Sequence, residues 1–224
     1  MLKNKISSSS FFYKLYLYFR IYWLERGFIE REKYSQCGED IFINDFFKKK
    51  RRGVYVDIGA FNPIKYNNTF LLYQRNWKGI NIDLNQTSID MFNILRPKDK
   101  NICAIVDFQN KKRKVYIENL FSPLNTISKK FSKNLSNKKI YFKTSKKFSD
   151  LVKRQFDFLN IDIEGMDFKV LKSINLKLYK PKMICIEIFG HKNFLKVKEY
   201  LKKKNYTYIK KIGPSYFFIS SKIS

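Results

Sequence analysis

Short apolar runs alternate with longer amphipathic stretches along most of this chain, and this alternation restricts the folds that it can form. The apolar runs have the pattern of buried β-strands and lie at 54–58, 79–83, 101–106, 156–162 and 183–188. Patterns typical of helices lie at 68–77, 86–96 and 193–204. Strands that alternate with helices are typical of βαβ units and parallel sheets. The sequence therefore predicts an α/β fold.

Two further apolar runs near the end of the chain are joined by a very short link. They lie at 206–212 and 215–220, with only Gly213 and Pro214 between them. A parallel pair of strands needs a long crossover connection, whereas a tight turn can join an antiparallel pair. The sheet is therefore expected to be mostly parallel, with an antiparallel last strand.

The segment at 119–150 interrupts the alternation. Much of it is rich in serine, asparagine and lysine. It is predicted to be a surface loop with one short strand, followed by a short helix at 149–154. Long irregular segments inside a compact domain are often functional, for example as a lid over a substrate.

Charge and cysteine content limit the classes of partner and compartment. The formal net charge is +27, which is compatible with solvated lysine-rich faces or with an anionic partner such as nucleic acid, a nucleotide sugar or an acidic membrane. The three cysteines are far apart and form no C-x-x-C pair, so neither a disulfide framework nor a cysteine zinc site is expected. This usage is typical of a reducing compartment such as the cytoplasm. The single histidine excludes a multi-histidine metal site within one chain.

Residues 1–33 are predicted to form a basic, aromatic helical extension, and residues 34–224 the main domain. The run at 11–24 is interrupted by Lys14 and Arg20, which makes it too short and too charged for a good membrane span. No small-residue cleavage site follows it, so a signal peptide is not expected.

A helix over 11–24 would be apolar on two sides. One face holds Phe12, Leu15, Phe19, Tyr22 and Trp23, and the other holds Leu17, Ile21 and Leu24. Such a helix is expected to be covered. It either packs on the domain or on a second subunit, or lies on a membrane surface, and the sequence leaves these alternatives open. The oligomeric state is also left open.

Polar residues at the predicted strand ends identify the candidate site, because ligands of open α/β sheets bind beyond the carboxyl ends of the strands. The first strand ends near Asp57 and Gly59, and the second ends at Asp83. The chain contains neither G-x-G-x-x-G nor a P-loop motif, which disfavours a dinucleotide or triphosphate site. An acid at the end of the second strand can accept ribose hydroxyls. The pattern favours a cofactor with a ribose and an amino-acid-like end, such as S-adenosylmethionine; alternatively, both acids cap the helices that follow.

A second group of acids follows the fourth and fifth strands. Asp162, Glu164 and Asp167 surround Gly165, and Glu187 precedes His191 by four residues. Acids from adjacent strands could orient a hydroxyl, accept its proton or hold a divalent cation. The oxygen ligands Asp162, Glu164 and Glu187 would suit magnesium if a metal is bound. Asp167 is expected to cap a helix that starts near Phe168, and His191 taken alone is most simply a surface residue.

These motifs together resemble the FkbM-family methyltransferases. The resemblance rests on SQCGED at 35–40, VDIGA at 56–60, Arg96 with Pro97, DIEGMD at 162–167 and the strand at 183–187. It runs in order across 34–188 and implies a class I methyltransferase, Rossmann-like sheet of seven strands with the last antiparallel. It also implies S-adenosylmethionine as donor and a hydroxyl acceptor on a sugar, a polysaccharide precursor or another metabolite.

The resemblance also assigns roles to individual residues. Asp57 and Gly59 would hold the methionine end of the cofactor, Asp83 the ribose, and Ala104 the adenine. Asp162 would lie nearest the sulfonium. The remaining expected cofactor contacts are Gln36, Glu39, Asn62 and Leu84.

Proton removal from the acceptor is expected to fall to Asp162 or His191, with Glu164 orienting. Two alternatives stay open, the first still enzymatic and the second from another class. One is an RNA methyltransferase, suggested by the net charge, and the other is a non-catalytic scaffold that binds a membrane or partner through the helix at 11–24.

Overall fold

A seven-stranded sheet organises the structure. The computed structural model describes residues 11–24, 27, 31–119, 122, 125–136, 138–163 and 165–221. Its strands are β1 (Val54–Ile58), β2 (Lys78–Asp83), β3 (Lys100–Cys103), β4 (Val106–Asp107), β5 (Lys112–Ile117), β6 (Lys139–Thr144), β7 (Lys146–Lys147), β8 (Phe158–Ile161), β9 (Met183–Glu187), β10 (Tyr206–Ile212) and β11 (Ser215–Ser220). Its α-helices are α1 (Phe11–Phe19), α2 (Glu39–Phe46), α3 (Phe70–Gln74), α4 (Gln86–Leu95), α5 (Phe148–Leu151), α6 (Asp167–Ser173), α7 (Leu176–Tyr179) and α8 (His191–Lys202).

The strands of the main sheet are ordered β10-β11-β9-β8-β1-β2-β3. The pairs β9–β8, β8–β1, β1–β2 and β2–β3 are parallel, whereas β11 is antiparallel to both of its neighbours. Gly213 and Pro214 form the link between β10 and β11, as predicted. The expectation of an α/β fold with a mostly parallel, Rossmann-like sheet of seven strands and an antiparallel last strand is therefore confirmed.

The central strands form because both faces of the sheet are covered. Every residue of β1 and β8 is buried, and so are all residues of β9 except the last. Side chains alternate between faces along a strand. Val56 and Ile58 accordingly join one core cluster, and Tyr55 joins another with Phe158 and Phe217. Strands buried on both faces explain the continuous apolar runs in the sequence.

The third strand is shorter than predicted. The apolar run continues to residue 106, but β3 ends at Cys103 and β4 pairs with β7 outside the main sheet. The intervening residues, Ala104 and Ile105, are buried and leave the sheet at its carboxyl edge. The prediction was wrong because buried residues of a turn and of a strand have the same hydropathy.

The segment at 119–150 is more ordered than the predicted loop. Strand β6 pairs with β5 in an antiparallel ladder, and β7 follows β6 directly. The helix α5 covers 148–151 rather than 149–154. Strand β6 is almost fully exposed, including its apolar residues Ile140, Tyr141 and Phe142, and it agrees with the one short strand that was predicted in this segment.

The N-terminal helix packs on the domain through one of its two apolar faces. Helix α1 continues as a π-helical turn over Arg20–Leu24. Leu17 and Ile21 are buried against Met91 of α4, and the Tyr13 hydroxyl donates to Asp90 Oδ2 at 2.9 Å. The remaining residues of the predicted extension, 1–10, 25–26 and 28–30, lie outside the described residues. In the described part of the chain, no helix is both long enough and apolar enough to cross a membrane.

Candidate functional site

A cleft opens at the carboxyl ends of β1, β2 and β8, where the strand-end rule places a ligand. Several of the predicted cofactor residues line it, namely Gln36, Asp57, Gly59, Asp83, Leu84, Ala104 and Asp162. Ser122, Asn125 and Ile127 add a wall from the segment that was predicted to be a loop. The parallel strands thus bring together residues that are more than one hundred positions apart in the sequence.

Gly59 allows the turns after β1 and β8 to touch. Its φ is +81°, and a Cβ at this position would lie 1.7 Å from the carbonyl oxygen of Asp162. The turn is held by the Gly59 N–H, which donates to Ile82 O at 2.8 Å, and by the Asp162 N–H, which donates to Ile58 O at 2.9 Å. No side chain fits here, so the predicted glycine turn is confirmed as a point of close backbone approach.

Asp57 lies beneath this turn and not freely within the cleft. Its side chain is only 1% exposed. Oδ2 accepts a hydrogen bond from the Thr69 hydroxyl at 2.9 Å, and Oδ1 accepts one from Asn160 Nδ2 at 2.8 Å. Burial raises the pKa of Asp57, while these hydrogen bonds and the charge of Arg96 act in the opposite direction. Its predicted contact with the methionine end remains a prediction.

Arg96 supports Asp57 from below, a role that sequence reasoning did not assign. Its guanidinium is fully buried and donates to Thr69 Oγ1 at 2.9 Å, to Asn67 Oδ1 at 2.8 Å and to the carbonyl of Pro63. The Thr69 hydroxyl therefore bridges the cation and the Asp57 carboxylate. An arginine at a helix end is usually a surface residue, so only its place in the resemblance drew attention to it.

Asp83 closes β2 and is partly exposed in the cleft. Its Oδ2 accepts the Phe61 N–H at 2.9 Å and its Oδ1 accepts the Asn85 N–H at 2.7 Å. Burial raises the pKa of Asp83 to about 6, although these two N–H groups lower it. The alternative that Asp83 caps the next helix is wrong, because Asn85 is the N-cap of α4 and accepts the Thr87 N–H.

Three predicted site residues do not line the cleft. Glu39 is buried and accepts the Cys37 N–H at 2.8 Å, so its carboxylate holds a turn before α2. Asn62 Oδ1 accepts the N–H groups of Ile64 and Lys65, which makes it part of a turn. His191 is exposed as the first residue of α8. The expectations for Glu39 and Asn62 came from the resemblance, and the expectation for His191 came from its position four residues after Glu187.

Three carboxylates gather at the ends of β8 and β9. Oxygens of Asp162, Asp167 and Glu187 lie within 4.8 Å of one another, and Asp162 and Glu187 line the cleft. Asp167 accepts the N–H groups of Ile163 and Gly165, so its carboxylate holds the turn. The prediction that Asp167 caps α6 was wrong, because Met166 is the N-cap of this helix. Glu164 lies outside the described residues. The magnesium set that includes it remains a prediction.

The cleft is acidic although the chain is strongly basic. Asp57, Asp83, Asp162 and Glu187 line it, and none of its described lining residues is a lysine or arginine, in a chain with 46 of them. Lys143 does not line the cleft, although its Nζ donates to the carbonyl oxygen of Leu84, a lining residue, at 3.1 Å. A lining of this sign favours a cationic ligand and disfavours phosphate.

Comparisons with known proteins agree with this architecture. The family model described as the Methyltransferase FkbM domain matches residues 57–208. The crystal structure of methyltransferase FkbM from Methylobacillus flagellatus KT resembles the fold with a TM-score of 0.51 at 14% identity, over 75% of this chain and 44% of that chain. No curated protein matches the sequence. The structural likeness shows the fold alone, and this chain spans less than half the length of that protein. The family model, however, covers more than half of the chain, and the chain belongs to the FkbM methyltransferase family.

Proposed function

We propose that this chain transfers a methyl group from S-adenosylmethionine to a hydroxyl oxygen of a small acceptor such as a sugar or polysaccharide precursor. Family membership supports methyl transfer as the reaction class. The choice of S-adenosylmethionine as donor is supported by the acidic lining of the cleft, whose described residues include no lysine or arginine. S-adenosylmethionine carries a sulfonium and an ammonium, and both cations suit such a lining. A dinucleotide would instead bring phosphates to the carboxylates of Asp83, Asp162 and Glu187.

The residues present fit this donor. The Gly59 turn leaves the backbone accessible, as close approach of a ligand requires. Asp83 offers a partly exposed carboxylate for ribose hydroxyls, and Leu84 and Ala104 offer apolar contact for an adenine. When bound, the donor supplies an electrophilic methyl group.

The chain's own contribution is alignment of the acceptor and removal of its proton. We assign proton removal to Asp162, because it is exposed and lines the cleft. We assign orientation of the acceptor hydroxyl to Glu187, because it lines the same cleft. His191 is not assigned this role, since it does not line the cleft.

Replacing Asp83 with alanine is expected to weaken donor binding by about 10- to 100-fold, because hydrogen bonds to a charged acceptor contribute roughly 1.5–3 kcal/mol. Calorimetry with S-adenosylmethionine measures the change. Asp90→Ala is the matched control, since Asp90 is similarly exposed and lies on α4 away from the cleft lining. Unchanged affinity in Asp83→Ala would remove the cofactor assignment.

The pKa of Asp83, about 6, provides a second check of the same contact. A protonated carboxyl accepts hydrogen bonds poorly, so donor affinity is expected to be about tenfold lower at pH 5 than at pH 7. The folded-state pKa lies above the unfolded value, so protonation of Asp83 stabilises the fold as pH falls through about 6. A loss of donor binding at pH 5 would therefore not result from unfolding caused by protonation of Asp83. In Asp83→Asn the affinity should be flat over this range.

Asp162→Asn is expected to lower turnover at saturating donor by about 100-fold, since general-base catalysis contributes roughly 100- to 10,000-fold. The measurement is transfer of labelled methyl to a panel of sugars and hydroxylated metabolites. His191→Asn serves as the control and should keep its turnover. Loss of turnover in His191→Asn alone would reassign the base, and label found only on RNA would overturn the acceptor class.

A further inference from the structure

The outward face of the N-terminal helix carries large side chains that nothing in the described chain covers. We call this surface the aromatic strip and define it as Phe12, Leu15, Phe19, Tyr22 and Trp23. These side chains are 50–74% exposed. Scattered apolar residues on a surface are ordinary, but contiguous patches usually mark an interaction site.

The aromatic strip is held in a fixed orientation. The opposite face of the helix is anchored by Leu17 and Ile21, which are almost fully buried. The rings of Phe19 and Trp23 stack with centroids 6.2 Å apart. The helix therefore cannot turn to bury the strip without breaking its own packing on α4.

The helix that carries the strip is itself basic. Residues 11–24 contain Lys14 and Arg20 and no Asp or Glu. Tryptophan and tyrosine favour the boundary between lipid and water, and basic residues attract anionic headgroups. We propose that the aromatic strip docks this protein on the surface of an anionic lipid bilayer, with the helix parallel to the surface.

Electrostatics favour a bilayer over a second copy of the chain. Two chains that each carry a formal charge of +27 repel one another, whereas an anionic bilayer attracts each of them. A helix that lies on a bilayer surface does not need the length of a membrane-spanning helix, so the short N-terminal helix is long enough for surface docking. This inference does not depend on the methyl-transfer reaction, so the two can fail separately.

The experiment uses the full chain and vesicles of phosphatidylcholine with or without phosphatidylglycerol. Trp77 is the only other tryptophan and is buried, so a change in emission on binding reports Trp23. The expected result is flotation with the anionic vesicles, weakened by salt, and a blue shift of the emission. Trp23→Phe should still float, without the shift.

The variant Phe12→Ser/Phe19→Ser/Trp23→Ser is expected to lose roughly tenfold or more in vesicle partitioning, because partitioning scales with buried apolar area. The matched control, Tyr141→Ser/Phe142→Ser/Leu195→Ser, changes side chains that are also about half exposed or more and should bind normally. Three results would overturn the proposal: no flotation of the wild type at low salt, equal binding to uncharged vesicles, or full binding by the strip variant. Sedimentation would show whether the strip instead joins two copies of the chain. Trp23 emission that is already blue-shifted in the monomer without vesicles would show that the chain itself covers the strip.

Discussion

Gly59→Ala is expected to destabilise the fold by several kcal/mol, a large share of the roughly 5–15 kcal/mol typical of a domain. The added methyl would lie 1.7 Å from the Asp162 carbonyl oxygen, and this neighbour is backbone, so it cannot rotate away. Two strand ends would have to separate at the centre of the sheet. Denaturant unfolding followed by circular dichroism measures the loss, and donor binding is expected to disappear with it.

Gly190→Ala is the control for this experiment. Gly190 has nearly the same φ, +83°, but nothing lies within 4 Å of the position of its Cβ. Its ψ is 143°, so its backbone lies in a region that few residues other than glycine adopt, and its replacement should cost this backbone strain alone, about 1–3 kcal/mol. Equal losses in the two variants would show that the contact between the turns is not tight and that strain alone matters.

The second large effect is expected at Arg96. Arg96→Met removes a buried cation with its hydrogen bonds to Thr69, Asn67 and Pro63. It leaves the Asp57 carboxylate buried without that charge, and breaking a buried charge pair typically costs 3–5 kcal/mol, so a loss of about this size is expected. The measurement is the free energy of unfolding at about pH 7 and about pH 5.

The pH dependence separates the charge effect from lost packing. The pKa of Asp57 is already raised by burial, and removal of Arg96 should raise it further. Protonation of Asp57 then relieves the buried charge, so the deficit of Arg96→Met should shrink as pH falls. Arg75→Met is the control, because Arg75 donates to backbone carbonyls and Asn44 with no carboxylate among these partners. A deficit that is the same at both pH values would contradict the assigned pairing with Asp57.

Prediction from sequence succeeded where the decisive interactions are local. The hairpin at Gly213 and Pro214 depends on the shortness of the link, and the turn at Gly59 on a residue without a side chain. Asp83 was placed in the cleft because parallel strands present their carboxyl ends at one edge. Each of these inferences needs only the strand pattern and a rule about its end.

Prediction from sequence failed where the interacting residues are far apart in the chain. It also failed where a ligand-binding residue and a structural residue give the same sequence pattern. Asn160 and Arg96 flank Asp57 from positions 103 residues and 39 residues away, and nothing near either residue indicates the pairing. Glu39 and Asn62 were assigned to the cofactor by position, yet their side chains hold turns. An acid or amide near a site has the same appearance in a sequence whether it binds a ligand or its own backbone.

Periodicity and turn residues act over a few positions, and they were enough to predict the α/β class, the antiparallel last strand and the strand ends that line the cleft. Tertiary packing, in contrast, sets which carboxylates enter the cleft and which side of the N-terminal helix is covered. Both faces of that helix are apolar, so local pattern cannot choose between them. Packing against α4 sets the orientation of the helix, because Leu17 and Ile21 pack around Met91 and the aromatic strip stays on the outer side.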